Sequence, residues 1–268
     1  MPGRGWPAQG YPLSIAELGR HLKRGPLYEF LEHFAHRDVL YGKDDFFGDT
    51  INLDWYAVAN GGGASVASFA LNVQEDGVIR ATTGTASGDT TTCSLITAAN
   101  FYGDRQSGVE FRWKPVTAVT EARIELGFVD VIPGSTKPFT NVLATPSVNT
   151  SIVDAAYYCY DHTGSTTTNQ LTAIGTSISA TLAAITAPTA IAAATYNVVR
   201  LQLGGPSALG NFAKCWMDGT LVATLGGTGT NAIEGGSALA LAALIRASNG
   251  TSKSLDLDYI EFWKLRGT

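Results

Sequence analysis

Three carboxylates lie close together near the C-terminus, at Asp256, Asp258 and Glu261, within the segment SLDLDYIEFWKL. Two carboxylates on one surface can act as nucleophile and general acid in retaining glycoside cleavage when they stand roughly 5–5.5 Å apart. The first of the three is an aspartate, whose shorter side chain would draw its carboxyl back. The alternative interpretation is an ordinary closing strand with solvated or ion-paired acids. Its core-facing residues would be Leu255, Leu257 and Tyr259.

A second acidic set occurs at Glu121, Glu125 and Asp130. Glu121 and Glu125 stand at the start of an alternating segment. The alternation places Glu125 opposite the apolar face formed by Ile124 and Leu126. We therefore expect a solvated sheet face here rather than a pair of reacting carboxylates.

Two groups of residues raise the question of a metal. Carboxylate oxygens are ligands of calcium, and four aspartates could form a calcium site. They are Asp44, Asp45, Asp49 and Asp218. Their spacing does not follow a D-x-D-x-D loop. His33 and His36 are three residues apart on a predicted helix, but neither a cysteine nor a third ligand lies near them. We expect no metal and no cofactor.

Strand and turn signals dominate from residue 45 onward. Asp218-Gly219 separates two alternating segments and predicts a two-residue β-hairpin turn. Val109, Phe111 and Trp113 alternate with polar residues and predict one buried strand face. Turn residues recur every 8–15 residues along this part of the chain. Short strands at this spacing predict an all-β protein with two antiparallel sheets packed as a sandwich.

The first 44 residues have a different composition and predict an N-terminal arm. Residues 1–13 hold three prolines and three glycines, so we expect an extended segment there. Apolar residues at helical spacing then predict one or two short helices over 14–40. The arm's apolar side chains would anchor it to a neighbouring subunit. They are Trp6, Tyr11, Leu27, Phe30, Leu31 and Phe34. Residues 1–44 and 45–268 are therefore the two predicted parts.

Composition excludes several classes of partner. The chain has 268 residues, a formal net charge of −5 and only 15% charged residues. An acidic balance argues against nucleic acid as a partner. The longest apolar segment, 173–194, is broken by polar residues and a proline, so we expect no membrane partner. The widely spaced Cys93, Cys159 and Cys215 predict three buried thiols in a chain assembled in a reducing cytoplasm.

Six segments, taken in order, resemble the concanavalin A-like, laminin-G-like β-sandwich superfamily over residues 45–266. They are DDFFGDTINLDWYAVANGGG (44–63), VEFRWKP (109–115), ARIELGFVD (122–130), YNVVRLQL (196–203), KCWMDGTLVATL (214–225) and LDLDYIEFWKLR (255–266). The resemblance implies a two-sheet antiparallel jelly roll. The chain is also similar to tailed-phage virion proteins, such as capsid decoration proteins and appendages, in its helical arm, its low charge and its Thr/Ala/Gly-rich composition.

The acidic segment at 256–261 also resembles the E-x-D-x-x-E signature of laminarinase-type glycosidases that share this fold. That resemblance implies that Asp256 and Glu261 act as nucleophile and acid/base, with Asp258 tuning them. Because Asp256 replaces a glutamate, and because the segment lies in the final strand rather than mid-sandwich, we expect that the chain is not an enzyme.

The predicted function is therefore structural. We expect a phage capsid decoration or capsid-projecting protein at the virion surface, assembled in the host cytoplasm and anchored by its arm. Its partners would be capsid or other virion subunits and further copies of itself. The alternative is a carbohydrate-binding module of a tail fibre or appendage, with a cell-surface glycan as partner. A laminarinase-like glycoside hydrolase is the third interpretation.

Overall fold

A computed structural model describes residues 39–46, 51, 56–60, 68–71, 77–85, 92–117, 119–130, 152–163, 166–175, 178–185, 191–204, 211–226, 233–247 and 250–265. The chain divides into two units. The larger unit is Tyr41–Lys264. The other unit is Met1–Leu40 with Leu265–Thr268, of which the structure describes only Val39, Leu40 and Leu265.

The described residues form strands and connecting turns, and no helix occurs among them. The strands are β1 (Val39–Asp44), β2 (Tyr56–Asn60), β3 (Ser68–Leu71), β4 (Ile79–Thr82), β5 (Thr92–Thr97), β6 (Phe101–Tyr102), β7 (Gly108–Pro115), β8 (Ala122–Val129), β9 (Ala155–Thr163), β10 (Thr166–Gly175), β11 (Ile178–Ala184), β12 (Asn197–Gly204), β13 (Phe212–Met217), β14 (Thr220–Gly226), β15 (Ala238–Ala247) and β16 (Ser254–Leu265).

These strands make two antiparallel sheets. The first has the order β14-β13-β12-β7-β16-β4-β3, with β1 paired to β16. The second has the order β11-β10-β9-β8-β15-β5-β2, with β6 paired to β15. Many neighbours in each sheet are far apart in sequence, as in a jelly roll. The predicted two-sheet antiparallel sandwich is confirmed. β1 occupies residues 39–44, which the sequence had assigned to the arm.

The core lies between the sheets and follows the predicted alternation. Val109, Phe111 and Trp113 of β7 are fully buried. The alternating apolar side chains of β12, beside β7 in the first sheet, and of β8, in the second sheet, are buried in the same core. Trp113 packs against Tyr158 of the second sheet, with 6.1 Å between ring centroids. All three cysteines are buried thiols, as predicted.

The Asp218-Gly219 hairpin is present between β13 and β14. Both residues have positive φ, 48° and 82°, as a type I′ turn requires. The Asp218 carboxylate also accepts a hydrogen bond from the Val198 amide at 2.9 Å. Because this bond ties the turn to β12, it fixes the hairpin at the edge of the first sheet.

Candidate functional site

The acidic segment lies on β16, which is the last described strand in the sequence but a central strand of the first sheet. β7 pairs along one side of it, and β4 and β1 pair along the other. The sequence had placed this segment at the end of the sandwich. The sheet order instead puts Asp256, Asp258 and Glu261 where the sheet is best supported on both sides.

A β-bulge at Asp258 decides which way these side chains point. Leu257 pairs with Trp113, and Tyr259 pairs with Arg112, the adjacent residue of β7, so one residue of β16 is extra. A bulge reverses the alternation beyond it. Tyr259 and Glu261 therefore lie on the outward face, away from the core. The prediction that Tyr259 faces the core is wrong for this reason.

Asp256 is held in a buried ionic arrangement. Its carboxylate is 0% exposed and accepts two hydrogen bonds from Arg80, at 2.7 and 2.8 Å. The Lys114 ammonium lies 3.5 Å from the same carboxylate. Both oxygens are therefore occupied by cations. Because the side chain is also completely buried, a substrate cannot reach it. Asp256 therefore acts as a structural anion here, not as the nucleophile that the resemblance implied.

Asp258 is also ion-paired, as the alternative interpretation expected. Its carboxylate accepts a hydrogen bond from the Arg112 guanidinium. The other face of that guanidinium lies over the Tyr196 ring, 4.1 Å from its centroid. Lys114 lies over the same ring at 4.6 Å. Carboxylate and ring together orient Arg112 on the outward face.

A pair of glutamates that the sequence did not suggest lies beside this arrangement. Glu110 of β7 is the direct register partner of Glu261. Arg200 donates to the Glu110 carboxylate at 2.5 and 2.7 Å, and the Tyr259 hydroxyl donates to its other oxygen at 2.6 Å. Glu110 is 8% exposed. These three contacts fix both carboxylate oxygens in place.

Glu261 has a different environment. Burial raises the pKa of its carboxyl, and the nearby negative charge of Glu110 raises it further. Lys43, Arg200 and a hydrogen bond from the Tyr41 hydroxyl act in the opposite direction. The Glu261 carboxyl therefore keeps its proton to higher pH than an ordinary glutamate does.

A continuous row of side chains crosses the outward face. Trp216 of β13 pairs with Arg200 of β12, Arg200 pairs with Glu110, and Glu110 pairs with Glu261. Residues directly opposite one another share a face, so aromatic, cationic and anionic groups stand side by side over four strands. We call these four residues the cross-strand row.

The tryptophans of the described strands lie on both faces of the first sheet. Trp113 lies in the core, but Trp216 lies half-buried in the cross-strand row. Trp263 is 1% exposed on the outward face, where its indole lies across Gly108. Trp6 and Trp55 lie outside the described residues.

The second acidic set is not a solvated face. Glu125 is 0% exposed, and Arg123 beside it is 4% exposed and donates to the buried Asp161 carboxylate. Burial lowers the pKa of Arg123, but nearby Glu125 and Asp161 raise it above its usual value. The same outward face of the second sheet also carries a buried apolar cluster. Its members are Ile96, Val129, Ile152, Ala155, Tyr157, Cys159, Ala240 and Ala242. The prediction failed because this sheet is buried on both faces.

Asp44 and Asp218, two of the four candidate calcium ligands, are not brought together. Asp44 lies at the end of β1 and accepts a hydrogen bond from the Phe46 amide at 2.8 Å. Asp218 lies beyond β13, toward the opposite edge of the first sheet. Asp49 lies outside the described residues. Among the residues that the structure describes, no three His, Cys, Asp or Glu side chains are placed to hold a metal ion.

The predicted assembly residues of the arm and the histidines at 33 and 36 lie outside the described part of the chain. The arm residues are Trp6, Tyr11, Leu27, Phe30, Leu31 and Phe34. Within the described ranges, no helix is long and apolar enough to cross a membrane.

Comparison with known proteins gives structural relatives only. No family model matches the chain, and no curated protein matches its sequence. The carbohydrate recognition domain of Emp47p matches with a TM-score of 0.57 at 12% identity, over 87% of this chain and all of that domain. A β-glucanase from Bacillus licheniformis matches at 0.55 and 13% identity, over 83% and 97% of the two chains. The catalytic domain of a laminarinase from Thermotoga petrophila matches at 0.54 and 11%, over 84% and 97%.

These likenesses define the class of protein by its fold. The chain is a concanavalin A-like jelly-roll sandwich, the architecture of carbohydrate recognition domains and glucanases. Identities of 11–13% establish the fold and not the activity. The finer resemblance to phage virion proteins finds no support among these structures.

The prediction that the chain is not an enzyme is wrong, and neither of the two grounds given for it holds. Several of the matching solved structures are glycoside hydrolases, including glucanases and laminarinases. The argument from terminal placement fails because β16 is central in its sheet. The substitution at Asp256 does not exclude catalysis either, since a different carboxylate, Glu110, faces Glu261.

Proposed function

We propose that this sandwich binds a carbohydrate on the outward face of its first sheet. The observation that carries the proposal is the cross-strand row Trp216, Arg200, Glu110 and Glu261. An aromatic face can stack on a sugar ring, and fixed polar groups beside it can bind the ring hydroxyls. Because neighbouring strands lie about 4.8 Å apart, the row spans about 14 Å, enough for a short oligosaccharide.

The fold supports this proposal. One of the matching structures is the carbohydrate recognition domain of Emp47p, and others are glucanases, which are enzymes named for glucans. The polar groups of the row are also pre-organised. Arg200 and Tyr259 already bind Glu110, so little side-chain entropy remains to be lost on binding.

Calorimetric titration with a panel of oligosaccharides tests the proposal. Trp216→Ala should weaken binding at least about fivefold, the loss of about 1 kcal/mol typical of a contact residue. Val153→Ala is the matched control, because it shortens a 51% exposed apolar side chain just before β9 of the second sheet. Equal affinities for Trp216→Ala and wild type would place the ligand elsewhere, and no binding across the panel would refute the proposal.

Cleavage of the bound glycan is a second candidate function, favoured by the Glu110–Glu261 pair. Side chains directly opposite in antiparallel strands have Cβ atoms about 4.5–5.5 Å apart, and retaining glycosidases separate their carboxyls by about 5–5.5 Å. Glu110, held in position by Arg200, would attack the anomeric carbon. Glu261, with its raised pKa, would protonate the departing oxygen and then deprotonate the water that releases the sugar.

Reducing-end release from laminarin, lichenan and agarose tests this second function. Glu110→Gln and Glu261→Gln should each lower turnover by at least about a hundredfold, as loss of a nucleophile or a general acid does. Glu121→Gln is the control, since it makes the same chemical change before β8 of the second sheet. NMR of the first product should show retained configuration. Turnover that survives both Glu→Gln changes would reject the pair.

Attachment to a phage particle remains a separate proposal. It is supported by the sequence of the arm, whose apolar helical residues have the spacing of a docking stripe. Deletion of residues 1–38 removes no residue of any described strand. The shortened chain should stay folded by circular dichroism and should lose self-association in analytical ultracentrifugation. Unchanged assembly would show that the arm is not the anchor.

A further inference from the structure

We infer that the carbohydrate bound on this face is a polyanion, a polysaccharide that carries sulfate or carboxylate groups. The inference rests on the proposed binding function and specifies its ligand. It comes from the charges of the first sheet, from their relative exposure, and from the way the arginines are held.

The outward face of the first sheet is basic although the chain is acidic. Six cations alternate with core residues on its strands or contact its outward side chains. They are Lys43, Arg80, Arg112, Lys114, Arg200 and Lys214. Four carboxylates share this face: Glu110, Asp256, Asp258 and Glu261. Among the residues that the structure describes, the face thus has two more cations than anions, whereas the whole chain has a formal net charge of −5. Its local field favours an anionic ligand.

The cations are also the outer members of their ion pairs. The Arg80 side chain is 29% exposed and the Asp256 side chain 0%. Arg112 is 39% exposed and Asp258 24%. A ligand that approaches the face therefore meets guanidinium N–H groups before it meets carboxylate oxygens. A sulfate or sugar carboxylate can accept those hydrogen bonds, and a guanidinium binds such groups through two parallel bonds.

The arginines are oriented before any ligand arrives. Asp258 holds one edge of the Arg112 guanidinium and the Tyr196 ring supports its face. Asp256 holds Arg80 through two oxygens. Both side chains are partly exposed on this face, Arg80 at 29% and Arg112 at 39%, where a neutral glycan offers only hydroxyls. Charged groups on the sugar therefore gain a contact that an uncharged polymer of the same backbone lacks.

Laminarin and laminarin sulfate are a matched pair for the test, because they share a backbone and differ in anionic groups. Affinity is measured by calorimetry with the full chain in low salt. We expect at least about tenfold tighter binding of the sulfated polymer, with the difference shrinking in high salt as the Debye length shortens. Polygalacturonate, tested in parallel, distinguishes carboxylate from sulfate as the bound group.

Lys214→Gln should weaken binding of the sulfated polymer about two- to fivefold and leave the neutral polymer unchanged, as expected for one half-buried surface charge. Arg112→Gln should weaken it further, and its melting temperature checks that it folds. Arg105→Gln is the control, because it removes one charge from the turn before β7 rather than from this face. Any general attraction to polyanions would affect all three variants alike and would overturn the inference.

The outcomes separate the two proposals. Equal affinity for both polymers, or tighter binding of the neutral one, overturns the polyanion inference and leaves carbohydrate binding standing. Binding of neither polymer, nor of any glycan in the panel, overturns both. Tight binding of laminarin sulfate that Lys214→Gln and Arg112→Gln leave unchanged also overturns the inference, because the bound anion would then lie off this face.

Discussion

Replacement of Gly108 by alanine tests how the outward face of the first sheet is packed. The Trp263 indole lies across this glycine, with Trp263 only 1% exposed. A Cβ at position 108 would stand 2.0 Å from Trp263 Cζ2 and 2.1 Å from Cε2. Because Cβ atoms essentially never come within 3.0 Å of another heavy atom, the indole must leave its present position.

The expected loss of stability follows from that displacement. Forcing an extra methyl group into a packed site costs about 1–3 kcal/mol. Complete loss of a buried aromatic side chain costs about 3–5 kcal/mol. The indole would be displaced but not removed, so Gly108→Ala should lower the free energy of unfolding by about 2–4 kcal/mol. The strand preference of alanine over glycine recovers less than about 1 kcal/mol of this.

Urea denaturation followed by circular dichroism measures the effect, which should appear as a lower midpoint with an unchanged slope. Gly236→Ala is the control, because a Cβ there meets nothing within 4 Å, and it should change stability by no more than about 0.5 kcal/mol. In a Trp263→Leu background, Gly108→Ala should lose most of its cost, which gives a positive coupling in the double-mutant cycle. If Gly108→Ala were as stable as Gly236→Ala, the packing argument would be refuted.

Three further predictions follow from buried groups and from the hairpin. Burial raises the pKa of Asp154 from 3.8 to about 7. The folded chain therefore keeps a proton that the unfolded chain releases, and stability should fall as pH rises from about 4 to about 7; Asp154→Asn should remove most of that slope in urea melts near pH 5 and near pH 8. Arg123→Met removes the cation that binds the buried Asp161 carboxylate and should cost about 3–5 kcal/mol by urea denaturation, whereas an unchanged midpoint would show that the carboxylate is otherwise satisfied. Gly219→Val should cost about 1–3 kcal/mol, because φ is 82° there, while Asp218→Asn should leave the melting temperature nearly unchanged, since asparagine tolerates the same turn.

Sequence patterns predicted the local structure well because they reflect local physics. The alternation of Val109, Phe111 and Trp113 required only that one face of a strand be buried, and all three are buried. The Asp218-Gly219 turn required only positive φ at two residues, which both adopt. Features that depend on one segment and its immediate neighbours could therefore be predicted without knowing the sheet order.

The candidate site could not be predicted in the same way, because it depends on pairing between distant segments. Glu110 and Glu261 face each other only because β16 pairs with β7 in one particular register. Alternation alone places Glu110 opposite the core face of β7, but it does not say which residue lies across from it. The burial of Glu125 depended likewise on what covers the second sheet, and the pattern within β8 carries no such information.

The bulge at Asp258 shows most clearly why the direction of the Tyr259 side chain was wrongly predicted. Strict alternation would put Tyr259 and Glu261 on the same face as Leu257, in the core. One extra residue in β16 reverses this, and the cost of burying a charged group in an apolar core is avoided because Glu261 joins Glu110 on the outward face. The bulge cannot be predicted from the sequence, since the inserted residue is an ordinary aspartate.

The position of a strand along the chain also does not predict its position in the sheet, because the closing strand of a jelly roll can lie between strands from the beginning and the middle of the sequence. A carboxylate pair in such a fold should therefore be sought among the register partners of central strands, and the spacing of acids along one strand is a weaker guide to it.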